Sequence, residues 1–219
     1  MDDFENSAGK SVLLAMVKAI QENRTFLGDV DGLIGDGDHG ANMAKGFTVF
    51  ENRFAAEETG FSEGLDELGN ILFNEIGGSM GPIYGTIFMD MAEAAEGADE
   101  IDLPLLAKML EAGLNGLYEI VDARVGDKTL VDTLSPSVEI LKKTAAAGTP
   151  FAEALKEMKK AALAGRNSTK DLIAKYGRAS RLGERSKGVL DAGAASCCII
   201  LTSMADGILA LLQNGGNLQ

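Results

Sequence analysis

Asp31, Asp36 and Asp38 fall within the stretch DGLIGDGDHGAN, residues 31–42, interleaved with Gly32, Gly35 and Gly37. Three carboxylates on a glycine-hinged turn are hard oxygen donors with few neutral competitors. That donor set suits Mg²⁺, which keeps part of its water shell and bridges to phosphate oxygens. Two such ions would turn an acidic loop into a receptor for phosphate. The plain alternative is that these aspartates only make turns and cap helices, as Asp commonly does. Other phosphate motifs fit less well. Gly35, Gly37 and Gly40 have the G-x-G-x-x-G spacing, but that fingerprint needs a preceding strand and a βαβ unit. Here the preceding segment, RTFLGDVDGL, is interrupted by glycine and aspartate. A Walker A loop ending at Gly9-Lys10-Ser11 would need glycine where Phe4 stands. An EF-hand begun at Asp29 would place Gly40 where a bidentate Glu belongs.

Three further stretches combine small, charged and hydroxyl residues. IGGSMGPIYGT, residues 76–86, sets Gly77, Gly78 and Ser79 ahead of a helix, where backbone N–H groups can approach a ligand. DARVGDKTLVDTL, residues 122–134, carries Asp122, Asp127, Lys128 and Asp132 at a turn; Lys128 reads either as a phosphate contact or, the favoured expectation, as an ordinary surface ion pair. YGRASRLGERSKGVLDAGAAS, residues 176–196, is long for a helix connection, and such loops are commonly functional. Its Arg178, Arg181 and Arg185 have the planar fork that suits anions.

The elements that must position these residues read at a helical period. Helices are expected over 11–22, 41–54, 65–76, 84–95, 103–121, 136–146, 150–175 and 191–212. Ser135 is the expected cap of the sixth, with Pro136 at its first position, and Thr149 the cap of the seventh. No segment reads as a strand, and the glycine-marked connections show no domain boundary. The expectation is one all-α domain over residues 1–219, with the chemically active junctions gathered at one end of a bundle.

Composition narrows the partners. The formal charge is −13, which argues against nucleic acid or an anionic membrane surface. The start, MDDFENSAGK, lacks the basic-then-apolar pattern of a secretory signal. The most apolar run, 192–205, is too short to cross a bilayer. Cys197 and Cys198 lie inside that run and read as reduced, buried side chains of a cytoplasmic protein. With His39 as the single histidine, a zinc site is not expected.

The segments GDGDHGANMAKGF, GGSMGPIYGT, GDKTLVD and GRASRLGERSKGVLDAGAAS, in this order, resemble the nucleotide-binding L subunit of dihydroxyacetone kinases. The resemblance runs from about residue 10 to 212. It implies an up-and-down barrel of eight antiparallel helices with a nucleotide site at one end. It implies two Mg²⁺ ions held by Asp31, Asp36 and Asp38 against the phosphates of ADP or ATP. The nucleotide would be contacted by His39, Gly40, Ala41, Asn42, Ser79, Met80, Thr129, Leu130, Arg178, Asp191, Ala192 and Gly193. The implied activity is phosphoryl transfer to a short ketose held by a separate K subunit, which this chain is too short to include. The phosphate would come from ATP, or from a phosphohistidine on an M subunit of the sugar phosphotransferase system. The other readings are a non-catalytic ADP- and Mg²⁺-binding regulatory module, and a helical isoprenoid synthase, which would need two facing acidic clusters where this chain has one. A homodimer is left open. The chain departs from the family pattern at Asp191-Ala192-Gly193, at Arg181 and at Gly77-Gly78-Ser79-Met80-Gly81, departures that bear on the acceptor.

Overall fold

The computed structural model describes residues 3–215. Among them are nine α-helices: α1 (Lys10–Glu22), α2 (Arg24–Ile34), α3 (His39–Phe54), α4 (Phe61–Glu75), α5 (Met80–Glu93), α6 (Leu103–Ile120), α7 (Val131–Ala146), α8 (Phe151–Ser168) and α9 (Ala192–Gly215). Each presents an apolar stripe inward, as the periodicity requires. In α1 the stripe is Val12, Leu13, Met16, Val17 and Ile20, and in α3 it includes Met43, Phe47 and Phe50. Helices α3 to α9 each pack against the next, and α9 returns to α1, which in turn packs on α3. Eight helices thus close a ring in which α3 to α9 follow one another as antiparallel neighbours, up-and-down, with a long connection only between α8 and α9. Its interior is filled by Phe47, Tyr84, Phe88, Met91, Leu110, Met204 and their neighbours.

Several expectations are corrected. The ninth helix, α2, was not expected, because Gly28, Asp29, Asp31 and Gly32 read as breakers. Leu27, Val30 and Ile34 nevertheless form a buried stripe. The glycines lie where the 35–38 turn and the start of α3 press on α2: a side chain at Gly40 would stand 2.0 Å from the Arg24 carbonyl oxygen and 2.7 Å from the Gly28 nitrogen. Close packing here outweighs intrinsic propensity.

Helix α7 starts at Val131, so Pro136 lies inside it and Ser135 is no cap. Proline at that position leaves the Asp132 carbonyl without its usual i+4 donor. The α8 backbone comes close there, at Gly165, whose added Cβ would sit 2.1 Å from that oxygen. Helix α8 ends at Ser168 and is followed by a 3₁₀ turn, Thr169–Asp171, so the expected extension to Lys175 is absent. Thr149 makes no capping bond; Pro150 precedes the helix instead.

Two short strands were also missed. β1 (Asp3–Glu5) pairs antiparallel with β2 (Glu100–Asp102), with Phe4 opposite Ile101. This ribbon closes the end of the ring away from the chemically active junctions. Helix α9 is longer than expected, and Ala192–Gln213 is apolar and long enough to cross a bilayer by composition. Its Ala194, Ala195, Cys198, Leu201, Met204 and Ile208 are buried among the described residues, which accounts for that hydropathy.

Candidate functional site

The up-and-down order brings the N-termini of α3, α5, α7 and α9 to the same end as the C-termini of α2, α4 and α6. Between them opens a cavity of about 370 Å³. That volume lies in the range of small-ligand pockets, which begins at about 300 Å³. Four helix N-termini facing one space bias it toward anions, whatever the net charge elsewhere.

The three aspartates meet here. Asp31 is on the last turn of α2, while Asp36 and Asp38 are on the following turn. One carboxylate oxygen of each can be chosen so that all three lie within 4.8 Å of one another. The local sequence enforces this. A side chain at Gly35 would put its Cβ 2.2 Å from Asp31 Oδ1, so only glycine lets the Asp31 carboxylate fold back over the turn. The His39 backbone N–H donates to Asp31 Oδ2 at 3.3 Å. Asp36 is paired with the Arg178 guanidinium from the far wall. Three carboxylates this close, two of them exposed, fit the oxygen-donor demand of Mg²⁺.

The remaining walls come from the other three junctions. Gly77, Gly78, Ser79 and Met80 line the cavity at the start of α5. Lys128, Thr129 and Leu130 line it at the start of α7, and Asp191, Ala192 and Gly193 at the start of α9. Tyr176, Gly177, Arg178 and Ala179 close it from the connection between α8 and α9. Of the residues singled out from sequence, Asp31, Asp36, Asp38, His39, Asn42, Ser79, Met80, Thr129, Leu130, Arg178, Asp191, Ala192 and Gly193 all line this one cavity. Gly40 and Ala41 are not among the lining residues: Gly40 is buried against α2, and Ala41 is exposed. Arg181 and Arg185 are exposed and also outside the lining.

His39 is buried, and its Nε2 lies 2.8 Å from Ser196 Oγ. Ser196 Oγ is in turn 2.7 Å from the Tyr84 hydroxyl. Both hydroxyls reach the Gly193 carbonyl, at 3.1 and 3.2 Å. Burial lowers the imidazole pKa to about 4, against an opposing pull from Asp38. His39 is therefore neutral near pH 7 and tied into the base of α9, a poor cation for phosphate. Burial raises the Asp191 carboxyl to about 6, opposed by the Ala194 N–H that it accepts at 2.7 Å and by Lys128.

The 123–132 turn corrects the reading of Lys128. It is not in a surface ion pair but is 1% exposed, with a left-handed backbone (φ 60°). Its ammonium donates to the Thr169 and Val189 carbonyls. Lys175 makes the ion pair instead, its exposed ammonium 2.5 Å from the buried Asp127. Asp132 is buried and shapes the turn, accepting the Gly126 N–H at 2.6 Å and the Thr129 N–H at 2.8 Å.

These features define a closed helical ring with an acidic, helix-dipole-lined cavity at one end. The chain belongs to the DAK2 domain family, which matches residues 33–206. It is 38% identical over 186 residues to the ADP-binding subunit DhaL of PEP-dependent dihydroxyacetone kinase 1 from Listeria innocua, a match spanning 84% of this chain and 88% of that one. It is 36% identical over 190 residues to the ADP-binding subunit DhaL of the PTS-dependent dihydroxyacetone kinase of Lactococcus lactis, spanning 85% of this chain and 90% of that one. The fold is that of part of the dihydroxyacetone kinase of C. freundii in its native crystal structure. There the TM-score is 0.71 at 21% identity, covering 94% of this chain and 36% of that chain. The same enzyme solved in complex with AMP-PNP and Mg²⁺ gives a TM-score of 0.67 at 22% identity, covering 91% of this chain and 33% of that chain.

Proposed function

We propose that this chain is the nucleotide-bearing subunit of a dihydroxyacetone-type kinase, with residues 1–219 forming a single L-type domain. The observation that carries this reading is the convergence of Asp31, Asp36 and Asp38 on a cavity ringed by four helix N-termini. The two relatives described above, matched along most of both chains, are ADP-binding subunits, and the fold neighbour was crystallised with AMP-PNP and Mg²⁺. Asp31, Asp36 and Asp38 would hold two Mg²⁺ ions, whose positive charge offsets that on the phosphate oxygens during transfer.

The protein's own groups then have distinct tasks. The first turns of α3 and α5 offer N–H groups that no N-cap side chain consumes. Arg178, now on Asp36, is the mobile-length cation that can turn to an anion. Thr129, Leu130, Met80 and Ile83 supply the apolar and hydroxyl wall for the rest of the nucleotide. His39 serves as a neutral anchor and not as the general base. Leu33, Ile120, Val125 and Tyr176 are exposed apolar residues on or next to the cavity wall. They give the mouth a surface for the sugar-carrying K subunit. Recharging of the bound ADP by a phosphohistidine M subunit fits the PEP- and PTS-dependent relatives. The two buried free cysteines fit a cytoplasmic setting.

The test is phosphoryl transfer. The purified chain is denatured and any released nucleotide identified; then transfer to dihydroxyacetone is measured with K and M subunits supplied, and separately with ATP. Stoichiometric ADP and M-dependent transfer are expected. Tight ADP binding without transfer from either donor would make the chain a regulatory module instead.

A further inference from the structure

We propose that Lys128 is a positioning residue: its ammonium staples together the two ends of the 169–190 segment and so fixes where Arg178 stands. This rests on the nucleotide-binding reading above, though the staple itself is a matter of geometry.

The segment between α8 and α9 is long, and its 3₁₀ stretch Arg178–Ser186 is broken by a non-helical Gly183. Such a segment holds one conformation only if its ends are tied. Its two ends are brought together at Lys128. The ammonium donates to the carbonyl of Thr169, at the start, and to that of Val189, at the end, the latter at 2.5 Å. The neck is completed by main chain: Gly188 N–H donates to the Lys170 carbonyl at 2.7 Å, and Asp191 N–H to Thr169 Oγ1 at 3.0 Å. Within the loop, Ala174 N–H reaches Ser186 Oγ at 2.9 Å. Among the described residues no other side-chain cation donates to the Thr169 or Val189 carbonyl, and Thr169 is fully buried.

The backbone supports the same conclusion. Lys128 is the one non-glycine residue with positive φ among the described residues. A lysine in that conformation costs conformational energy, which the surrounding structure must over-determine. Here the strain aims a long side chain under the cavity floor, where Asp132 has already fixed the turn by accepting the Gly126 and Thr129 N–H groups. Lysine suits the task because its ammonium has three donors on one atom, enough to hold two carbonyls from different strands of the neck. A side chain with no donor would leave both carbonyls without that partner.

The consequence concerns Arg178, nine residues into the segment and 64% exposed at its side chain. Its guanidinium pairs with Asp36, and Lys175, three residues earlier, is tied to Asp127; the neck sets the frame from which both contacts are reached. Loosening the neck therefore moves the guanidinium relative to the aspartate cluster.

The experiment compares wild type, Lys128→Met, Lys128→Gln, Arg178→Ala and the Lys128→Met/Arg178→Ala double variant. Two readouts are taken: trypsin cleavage within 169–190 without ligand, and ADP affinity by calorimetry with Mg²⁺. Lys128→Met is expected to accelerate cleavage at the loop and weaken ADP by roughly tenfold to a hundredfold, the scale set by supporting residues one step removed from a ligand. In the Arg178→Ala background the same change should weaken ADP by less than about threefold, since both act through one contact. Lys128→Gln, which keeps a donor without the charge, should fall between; it serves in place of the Met variant if that chain does not fold. Unchanged loop cleavage in whichever variant folds would overturn the staple. An undiminished penalty in the Arg178→Ala background would overturn its action through Arg178. If wild type itself binds no ADP, the nucleotide reading falls, while the cleavage comparison still decides the staple.

Discussion

Acidification of the metal-free protein should separate two buried groups that pull in opposite directions. His39 has its pKa lowered by burial from 6.5 to about 4. The unfolded chain therefore binds a proton first, and His39 subtracts stability as pH falls from 6.5 toward 4. At about 1.4 kcal/mol per pH unit, that gap amounts to about 3 kcal/mol. Asp191 has its pKa raised by burial from 3.8 to about 6. It lowers stability while ionised and restores it as the folded state takes up a proton below pH 6, again by about 3 kcal/mol. The two nearly cancel in wild type. In His39→Gln only the Asp191 gain survives, so the variant should gain on wild type by about 3 kcal/mol between pH 7 and pH 4. Urea unfolding of both chains in EDTA at several pH values measures this, because a change in midpoint at constant slope is a change in stability. Whatever packing the substitution loses is pH-independent and drops out of the comparison. A stability difference that stays constant from pH 7 to pH 4 would refute the neutral, buried state assigned to His39.

Other perturbations reach the site and the ring that carries it. Asp36→Ala should leave the fold intact, since Asp36 lies on an exposed turn, yet weaken Mg²⁺-dependent ADP binding by more than roughly 100-fold, the upper end seen for residues that only support a ligand; calorimetry against MgADP checks it. Arg178→Ala should weaken ADP too, while shifting unfolding by no more than about 1 kcal/mol, because its pair with Asp36 is largely solvated; a larger loss in urea would make Arg178 structural. Gly40→Ala should destabilise the chain by about 3 kcal/mol or more, since the new methyl meets the Arg24 carbonyl, which is backbone and cannot swing away. A melting temperature within a degree or two of wild type would count against the close packing of α2 on α3.

The apolar stripes of α1, α3, α4 and α6 could be read from sequence because each repeats at the helical period over three turns or more. Helix α2 could not. Its stripe has only Leu27, Val30 and Ile34, and its glycines are chosen for the approach of α3, a contact that no local pattern encodes. Pro136 misplaced the start of α7 for a related reason: the Asp132 carbonyl it leaves free matters only once α8 is packed there. The site was more legible than the helices beneath it. Polar residues at glycine-rich junctions have few structural reasons to accumulate, so their order along the chain pointed to one end of the ring. Lys128 was the exception. Its two partners are main-chain carbonyls 41 and 61 residues away, and a sequence shows side chains, not the carbonyls they will meet.

The charges around the cavity argue that an anion cannot be held there by side chains alone. The lining includes four carboxylates, Asp31, Asp36, Asp38 and Asp191, against two basic side chains, Lys128 and Arg178. Lys128 is committed to two carbonyls and Arg178 to Asp36. His39 is neutral near pH 7. Helix N-termini contribute only about half a charge each, and less once screened. A diphosphate placed directly against three close carboxylates would meet net repulsion in a partly enclosed space, where Coulomb terms are stronger than in water. ADP affinity should therefore be lost in EDTA and recovered with Mg²⁺, and Asp36→Ala should flatten that dependence. ADP bound equally well with and without divalent cation would mean that the anion sits on the helix ends away from the aspartates, and the cluster would then have no part in holding phosphate.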